Sequence, residues 1–274
     1  MYAGIVAKDR PFTQLQLNMA NALNLQIAAA FGYAVLWPSM PLNPPGETDD
    51  PLLKLGDGVL PAIDKVVADG LVDPGRVFVA GHSFGGFAAC GLITQNDRFK
   101  AAISLAGITD LTSLYGSLFG PIRYTELAHE HLFHFTWSES GQGRMGRPPW
   151  EDAGRYLRSS PIFYVDRVQT PVMLIHGDLD QVPMDESEAF FMSLNRQGKR
   201  AELVRYWGEG HVLQSPANVR DMWARIIAWL DEFGDIARDS GGVMVFAGDR
   251  AGSRKGAPPL QPGELSAFGP FARQ

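Results

Sequence analysis

The sequence predicts an α/β fold in which helices cover both faces of a mostly parallel sheet. Short apolar runs typical of strands alternate along the chain with longer helical patterns. These runs are mostly apolar, which indicates strands buried on both faces, as in parallel sheets. The 274 residues are 45% hydrophobic and 20% charged, the balance of a globular protein that can bury a sizeable core.

Five strands are predicted from short apolar runs bounded by turn residues, such as Asp73-Pro74-Gly75 before the second strand. The predicted strands are Tyr33–Pro38, Arg76–Ala80, Ala101–Leu105, Pro171–His176 and Ala201–Trp207. Longer amphipathic runs predict helices between and after them, the last beginning near the capping signal Ser215-Pro216. The predicted helices are Pro61–Asp69, Gly85–Ile93, Asp185–Arg196 and Asn218–Phe233.

Two regions interrupt this alternation. Residues 112–167 contain many aromatic residues and no clear strand, so they form either a cap over an apolar pocket or a helical excursion that completes the core. Residues 240–274 are rich in Gly and Pro, which is typical of an extended or disordered tail. The expected organisation is therefore a domain over residues 1–239, with a cap-like insertion at 112–167, followed by a tail.

Composition excludes several classes of function. With 24 Lys and Arg against 30 Asp and Glu, the net charge is −6, whereas nucleic-acid binding needs a basic surface. The apolar run Ile27–Trp37 is too short to span a bilayer, and no signal peptide is recognisable. The single cysteine, Cys90, excludes an intramolecular disulfide and is expected in the core. Localisation stays open.

The motif Gly81-His82-Ser83-Phe84-Gly85 lies between a predicted strand and a predicted helix. The tight turn in this context requires glycines and lifts a serine hydroxyl above the sheet edge, at a helix N-terminus that favours negative charge. Ser83 is therefore predicted to be a nucleophile; a serine that only caps the helix is the alternative. His82 should point away from its neighbour, and we expect it to be structural.

A serine nucleophile needs a base and an orienting acid, which in α/β-hydrolases follow in the chain order Ser, Asp, His. His211 follows the last predicted strand, and Asp178 and Asp180 follow the strand before it. All of these positions lie at the carboxyl edge of a parallel sheet. His211 is thus the predicted base, while spacing alone leaves Asp178 and Asp180 open, with Asp110 a third choice.

Metal binding is not expected. His129, His131 and His134 superficially resemble a zinc helix, but zinc-protease spacing from His129 requires a histidine where Phe133 stands. No metal or organic cofactor is therefore predicted.

Four segments resemble the catalytic domain of the prolyl oligopeptidase family of serine peptidases, and the resemblance covers about residues 2–235. They are Gly81–Phe87, Ser160–Arg167, Pro171–Pro183 and Phe190–His211. The resemblance implies an α/β-hydrolase fold, a peptide substrate and a Ser83–Asp180–His211 triad, since the family's acid is the last Asp of His-Gly-x-x-Asp.

The resemblance also implies an oxyanion hole made by the Phe84 N–H and a tyrosine hydroxyl. Met1-Tyr2-Ala3-Gly4 is similar to the family's Tyr-x-Gly loop, so Tyr2 is the candidate second donor. The strand that precedes this loop in the family, and the N-terminal β-propeller of its full-length members, have no counterpart here. We therefore expect a fold that lacks its first strands, in a C-terminal piece of a longer protein or a chain whose start is assigned too late.

The predicted function is that of a serine peptidase acting through an acyl-enzyme on a peptide or acyl-ester substrate. A carboxylesterase or lipase-like hydrolase is the first alternative, because the same machinery cleaves esters. An inactive fold that serves as a binding module is the second. No nucleic-acid partner and no membrane segment are expected, and the oligomeric state stays open.

Overall fold

A four-stranded parallel sheet forms the centre of the molecule. The computed structural model describes residues 24–40, 42–44, 46–118 and 133–245. Within these ranges the strands lie side by side in chain order, each parallel to the next. They are β1 (Phe78–His82), β2 (Ala101–Leu105), β3 (Val172–Gly177) and β4 (Ala201–Tyr206). Since parallel strands need crossover connections, helical segments separate them in the sequence.

Eight helices, a 3₁₀ segment and a short antiparallel hairpin complete the described structure. The helices are α1 (Gln26–Ala30), α2 (Pro51–Ala68), α3 (Phe84–Ile93), α4 (Leu111–Gly116), α5 (Phe133–Glu139), α6 (Ala153–Arg158), α7 (Met184–Arg196) and α8 (Pro216–Gly234). The 3₁₀ segment is Pro161–Arg167, and the hairpin pairs β5 (Ala237–Arg238) with β6 (Met244–Val245). None of the described helices is both long and apolar enough to cross a bilayer.

Two apolar cores lie on opposite faces of the sheet, as the mostly apolar strands predict. In β3, Val172 and Leu174 pack with α2, α3 and α7, whereas Met173 and Ile175 pack with α8. Cys90 of α3 lies in the first core with no exposed surface, and burial raises the pKa of its thiol to about 12. The prediction of a parallel sheet with helices on both faces is confirmed.

The predicted strand Tyr33–Pro38 is wrong, because the segment has no regular structure. An extended apolar run becomes a strand only when a neighbouring strand completes its ladder, and among the described residues β1 pairs with β2 alone. The segment is held by side chains instead: the Tyr33 hydroxyl donates to Asp231 Oδ1 of α8 at 2.5 Å.

Helix α2 begins ten residues before its predicted start. The sequence predicts Pro61 as the first residue of the helix, because proline is common there. In the structure Pro51 occupies that position and Pro61 lies inside the helix. Pro61 has no N–H for the carbonyl of Asp57, a loss the helix tolerates because its inner face is buried. That face consists of Leu52, Leu55, Val59 and Ile63.

The described parts of the predicted insertion, 112–118 and 133–167, contain helical segments and no strand. They include α5, α6 and the 3₁₀ segment. At the other end, the β5–β6 hairpin crosses the boundary expected at residue 239 and continues to Val245. Residues 246–274 of the predicted tail lie outside the described residues, and the division into domain, cap and tail stays a prediction.

Candidate active site

Ser83 occupies a sharp turn between β1 and α3. Its backbone has φ 59° and ψ −122°, a conformation rare for a residue with a side chain. Gly81 makes the turn possible, since a Cβ there would lie 2.1 Å from the carbonyl oxygen of Gly85. The Ser83 N–H donates to the carbonyl of Leu105 in β2 at 2.9 Å, which fixes the turn against the sheet.

Close packing of α3 on β2 holds the helix that starts at Ser83. A Cβ on Gly86 would lie 2.6 Å from the Cα of Gly107 and 2.9 Å from the Leu105 carbonyl oxygen. The backbone of α3 can therefore approach the end of β2 only because residue 86 has no side chain. Phe84 is the first residue of α3, so its N–H has no acceptor within the helix.

His211 connects Ser83 to Asp180. Its Nε2 lies 2.9 Å from Ser83 Oγ, and its Nδ1 lies 2.7 Å from Asp180 Oδ1. A carboxylate only accepts, so Nδ1 carries the proton and donates to Asp180. The lone pair of Nε2 then faces the serine hydroxyl. The side chain of Asp180 is 1% exposed and that of His211 22%. The structure therefore brings these three predicted residues together.

Asp180 is held as a buried carboxylate. Its Oδ1 also accepts from the Val182 N–H at 2.7 Å, and His176 Nε2 lies 3.3 Å from Oδ2 while donating to the Val182 carbonyl at 2.9 Å. Burial alone would raise the pKa of Asp180, but the hydrogen bonds and charges of His176 and His211 outweigh it and lower the pKa to about 2. The group is thus ionised at neutral pH.

The two other acid candidates form different hydrogen bonds. Asp178 Oδ1 accepts from the Gly208 N–H at 2.6 Å and braces the turn that follows β4. Asp110 caps the start of α4 by accepting from the Thr112 N–H at 2.8 Å. Of the three, Asp180 is the one hydrogen-bonded to His211.

A buried glutamate, which the sequence analysis did not single out, organises the turn that carries His211. Glu209 accepts hydrogen bonds from the N–H groups of Gln214 and Ser215 and from the amide of Asn218, at 2.7, 3.0 and 2.6 Å. Its own carbonyl accepts from the Leu179 N–H at 2.9 Å, which joins the turn to the loop of Asp180. In the sequence, the signal that could have identified Glu209 is its position within the Gly-x-Gly-His turn that ends at His211.

Glu186, another residue that the sequence analysis missed, ties α7 to the loop after β2. Its Oε2 accepts from the N–H groups of Thr109 and Asp110 at 2.8 and 2.7 Å, and its Oε1 accepts from the Ser113 hydroxyl at 2.5 Å. Burial raises the pKa of Glu186 to about 7, although these three hydrogen bonds favour the ionised form. The same loop contains Ile108, which lines a small cavity together with Ser83.

A very small cavity, of about 10 Å³, lies beside Ser83. It is bordered by Ile108, Leu114, Phe133, His134, Trp137, Gln181 and Val182, and is therefore mostly apolar. His134 is buried and bonded within the protein, since its Nε2 lies 3.0 Å from the Gln181 carbonyl oxygen and its Nδ1 2.9 Å from Ser117 Oγ. His129, His131 and the candidate oxyanion donor Tyr2 lie outside the described residues. In the part of the chain that the structure describes, no group of three or more His, Cys, Asp or Glu side chains is arranged to hold a metal ion.

The family model described as the prolyl oligopeptidase family matches residues 57–235, a range that contains Ser83, Asp180 and His211. The chain belongs to this family.

Curated relatives of this prolyl oligopeptidase family chain are named as peptidases. An uncharacterised peptidase, YuxL, of Bacillus subtilis is 29% identical over 223 residues, which cover 76% of this chain and 31% of YuxL. Dipeptidyl-peptidase 5 of Porphyromonas gingivalis is 29% identical over 180 residues, 64% of this chain and 24% of that enzyme. The chain thus spans about a third or less of the length of these relatives.

Solved structures establish the fold of this family member as that of an α/β-hydrolase. A puromycin-hydrolysing peptidase of Mycobacterium tuberculosis matches with a TM-score of 0.55 and 28% identity, over 66% of this chain and 25% of that one. The acylaminoacyl peptidase of Pyrococcus horikoshii also matches with a TM-score of 0.55, at 24% identity, over 65% of this chain and 27% of that one.

Proposed function

We propose that this chain carries the catalytic machinery of a serine peptidase, with Ser83 as nucleophile, His211 as general base and Asp180 as the acid that orients it. The observation that carries the proposal is the continuous hydrogen-bonded path from Ser83 Oγ through His211 to Asp180, in a chain of the prolyl oligopeptidase family. The ionised, buried Asp180 can stabilise the imidazolium that forms when His211 takes a proton.

In the proposed reaction, Ser83 Oγ attacks the carbonyl carbon of the scissile amide while its proton passes to His211 Nε2. The imidazolium then donates that proton to the leaving amine as the C–N bond breaks, which leaves an acyl-enzyme. Water, deprotonated by His211, attacks the acyl carbonyl, and Ser83 recovers its proton as the carboxylic acid departs.

Negative charge on the carbonyl oxygen would be stabilised by the Phe84 N–H, which points from the N-terminus of α3 and has no acceptor in the helix. We assign the second donor to the hydroxyl of Tyr2, on the strength of its Tyr-x-Gly motif. Residues 1–239 would form the catalytic domain, with residues 112–167 as a cap whose Leu114, Phe133 and Trp137 border the cavity beside Ser83.

A peptide is the proposed substrate, because the relatives are named for peptide chemistry: a dipeptidyl-peptidase and, in Arabidopsis thaliana, an acylamino-acid-releasing enzyme that is 27% identical over 174 residues. The residues that border the cavity beside Ser83 are largely apolar, which favours an apolar group next to the scissile bond.

Labelling by a fluorophosphonate tests the nucleophile. The wild-type chain should label, Ser83→Ala should not, and Ser240→Ala, a change at an exposed serine, should label like the wild type. Kinetics on a peptide amide and a p-nitrophenyl ester then identify the reaction. Rapid ester cleavage with negligible amide cleavage would indicate an esterase. Absence of labelling in the wild type would overturn the catalytic assignment and favour an inactive fold.

A further inference from the structure

We propose that His82 is a positioning residue for His211: it fixes the main chain of the base so that one imidazole meets Ser83 and Asp180 together. The inference rests on the function proposed above. The sequence predicts only a structural role for His82, because neighbours in such a turn are expected to point apart. The structure places this side chain against His211.

His82 contacts His211 in two ways. Its Nε2 lies 2.5 Å from the carbonyl oxygen of His211, and the two imidazole rings are 4.5 Å apart between centroids and tilted by 55°. A carbonyl oxygen only accepts, so Nε2 carries the proton and donates. One side chain therefore holds both the backbone and the ring of the proposed base.

The turn around His211 needs such a restraint. Gly208 and Gly210 precede His211, and Gly208 adopts φ +76°, so the backbone there has the freedom that glycines allow. His211 must satisfy a 2.7 Å contact to Asp180 and a 2.9 Å contact to Ser83 at once. His82 is the residue immediately before Ser83, so its hydrogen bond ties the turn of the base directly to the turn of the nucleophile.

The charge state of His82 suits this role. Burial, followed by repulsion from His211, lowers the pKa of His82 to about 4, although the His211 carbonyl and the charge of Asp180 favour the protonated form; His176 also faces the group and lowers it. His82 is thus neutral at the pH where a serine hydrolase works, and it places no second positive charge beside the His211 imidazolium.

Three substitutions separate positioning from packing. The amide nitrogen of His82→Gln can occupy the place of Nε2 and donate to the His211 carbonyl, whereas that of His82→Asn is too short to reach. His82→Phe keeps a ring against His211 without a donor. We expect kcat to fall by about 10- to 100-fold in the Asn and Phe variants with unchanged KM and thermal stability, as a small misplacement of a catalytic group would cause. The Gln variant should retain a kcat near that of the wild type.

Proton NMR supplies a readout that does not depend on turnover. The imidazole N–H shared by His211 and Asp180 should give a low-field signal in the wild type and in His82→Gln, and this signal should be lost or broadened in His82→Asn. If Asn and Phe variants keep the wild-type kcat and signal, or if all three variants lose stability without rescue by Gln, the proposal is overturned. A wild-type chain that shows the signal but no Ser83-dependent labelling would contradict the proposed function and leave the positioning of His211 testable.

Discussion

At the scale of single residues, two aspartates in one loop differ completely in their surroundings. Asp180 is buried and hydrogen-bonded to His211, while Asp178, two residues earlier, braces Gly208. Sequence order predicted Ser83 as nucleophile and His211 as base, because each follows a strand that the pattern identifies. It could not separate the two aspartates, because both follow the same strand and only the path of the loop decides which carboxylate reaches the imidazole. The resemblance to the family, not the spacing, favoured Asp180.

Asparagine substitutions should distinguish the two aspartates. Asp180→Asn should lower kcat/KM by about 10⁴-fold, because an amide facing Nδ1 favours the wrong imidazole tautomer. Asp178→Asn should lower it by less than about tenfold, since the asparagine oxygen can still accept from the Gly208 N–H. Steady-state kinetics on one substrate compare the pair. Equal losses would mean that Asp178 shares the role proposed for Asp180.

At the scale of elements, strands with partners were predictable and segments without them were not. The prediction of Ala101–Leu105 matches β2, which has a parallel neighbour on each side. Tyr33–Pro38 has a similar apolar character but no ladder among the described residues, and it is irregular. Local sequence reports the tendency to be extended, whereas a strand also requires hydrogen bonds from a segment distant in the chain.

Two glycines of α3 should respond differently to alanine. Both gain about the same helix propensity, near 1 kcal/mol. A Cβ on Gly86 meets backbone at 2.6 Å, however, whereas one on Gly91 meets the Cδ1 atoms of Leu52 and Leu55, at 2.4 and 2.6 Å, which can rotate away. Gly86→Ala should therefore lower the free energy of unfolding by about 2–3 kcal/mol and reduce labelling of Ser83, while Gly91→Ala should stay within about 1 kcal/mol of the wild type. Urea denaturation measures both; a Gly91→Ala loss as large as that of Gly86→Ala would contradict the packing described.

At the scale of the whole molecule, the buried Glu186 and the half-buried His82 give stability opposite dependences on pH. The pKa of Glu186 is raised from 4.5 to about 7, so the folded protein holds this proton more tightly than the unfolded chain does. The contribution of Glu186 to the free energy of unfolding therefore falls as pH rises from about 4.5 to about 7, by about 3 kcal/mol at most. The pKa of His82 is lowered from 6.5 to about 4, so its contribution to the free energy of unfolding rises over nearly the same pH interval. Asp180 titrates below both, and its stabilising effect is lost as pH falls from 3.8 towards about 2.

Removing the carboxyl group of Glu186 should leave the opposite pH dependence that His82 contributes. In Glu186→Gln the side-chain oxygen can still accept from Thr109 and Asp110, but the group no longer titrates. Relative to the wild type, this variant should gain stability steadily between pH 5 and pH 7.5. Glu188→Gln, on the same helix but 41% exposed, should show no such gain. Chemical denaturation at several pH values measures both, and parallel curves for wild type and Glu186→Gln would refute the assignment.

The buried Cys90 gives the molecule a reporter of its own opening. It is the single cysteine of the sequence, it lies on the helix that begins beside Ser83, and it has no exposed surface. With a pKa near 12 in the closed state, its thiol reacts with an alkylating reagent only after α3 separates from the sheet. The alkylation rate, divided by that of a free thiol, therefore gives the equilibrium constant for exposing the helix that begins beside Ser83, without any introduced label.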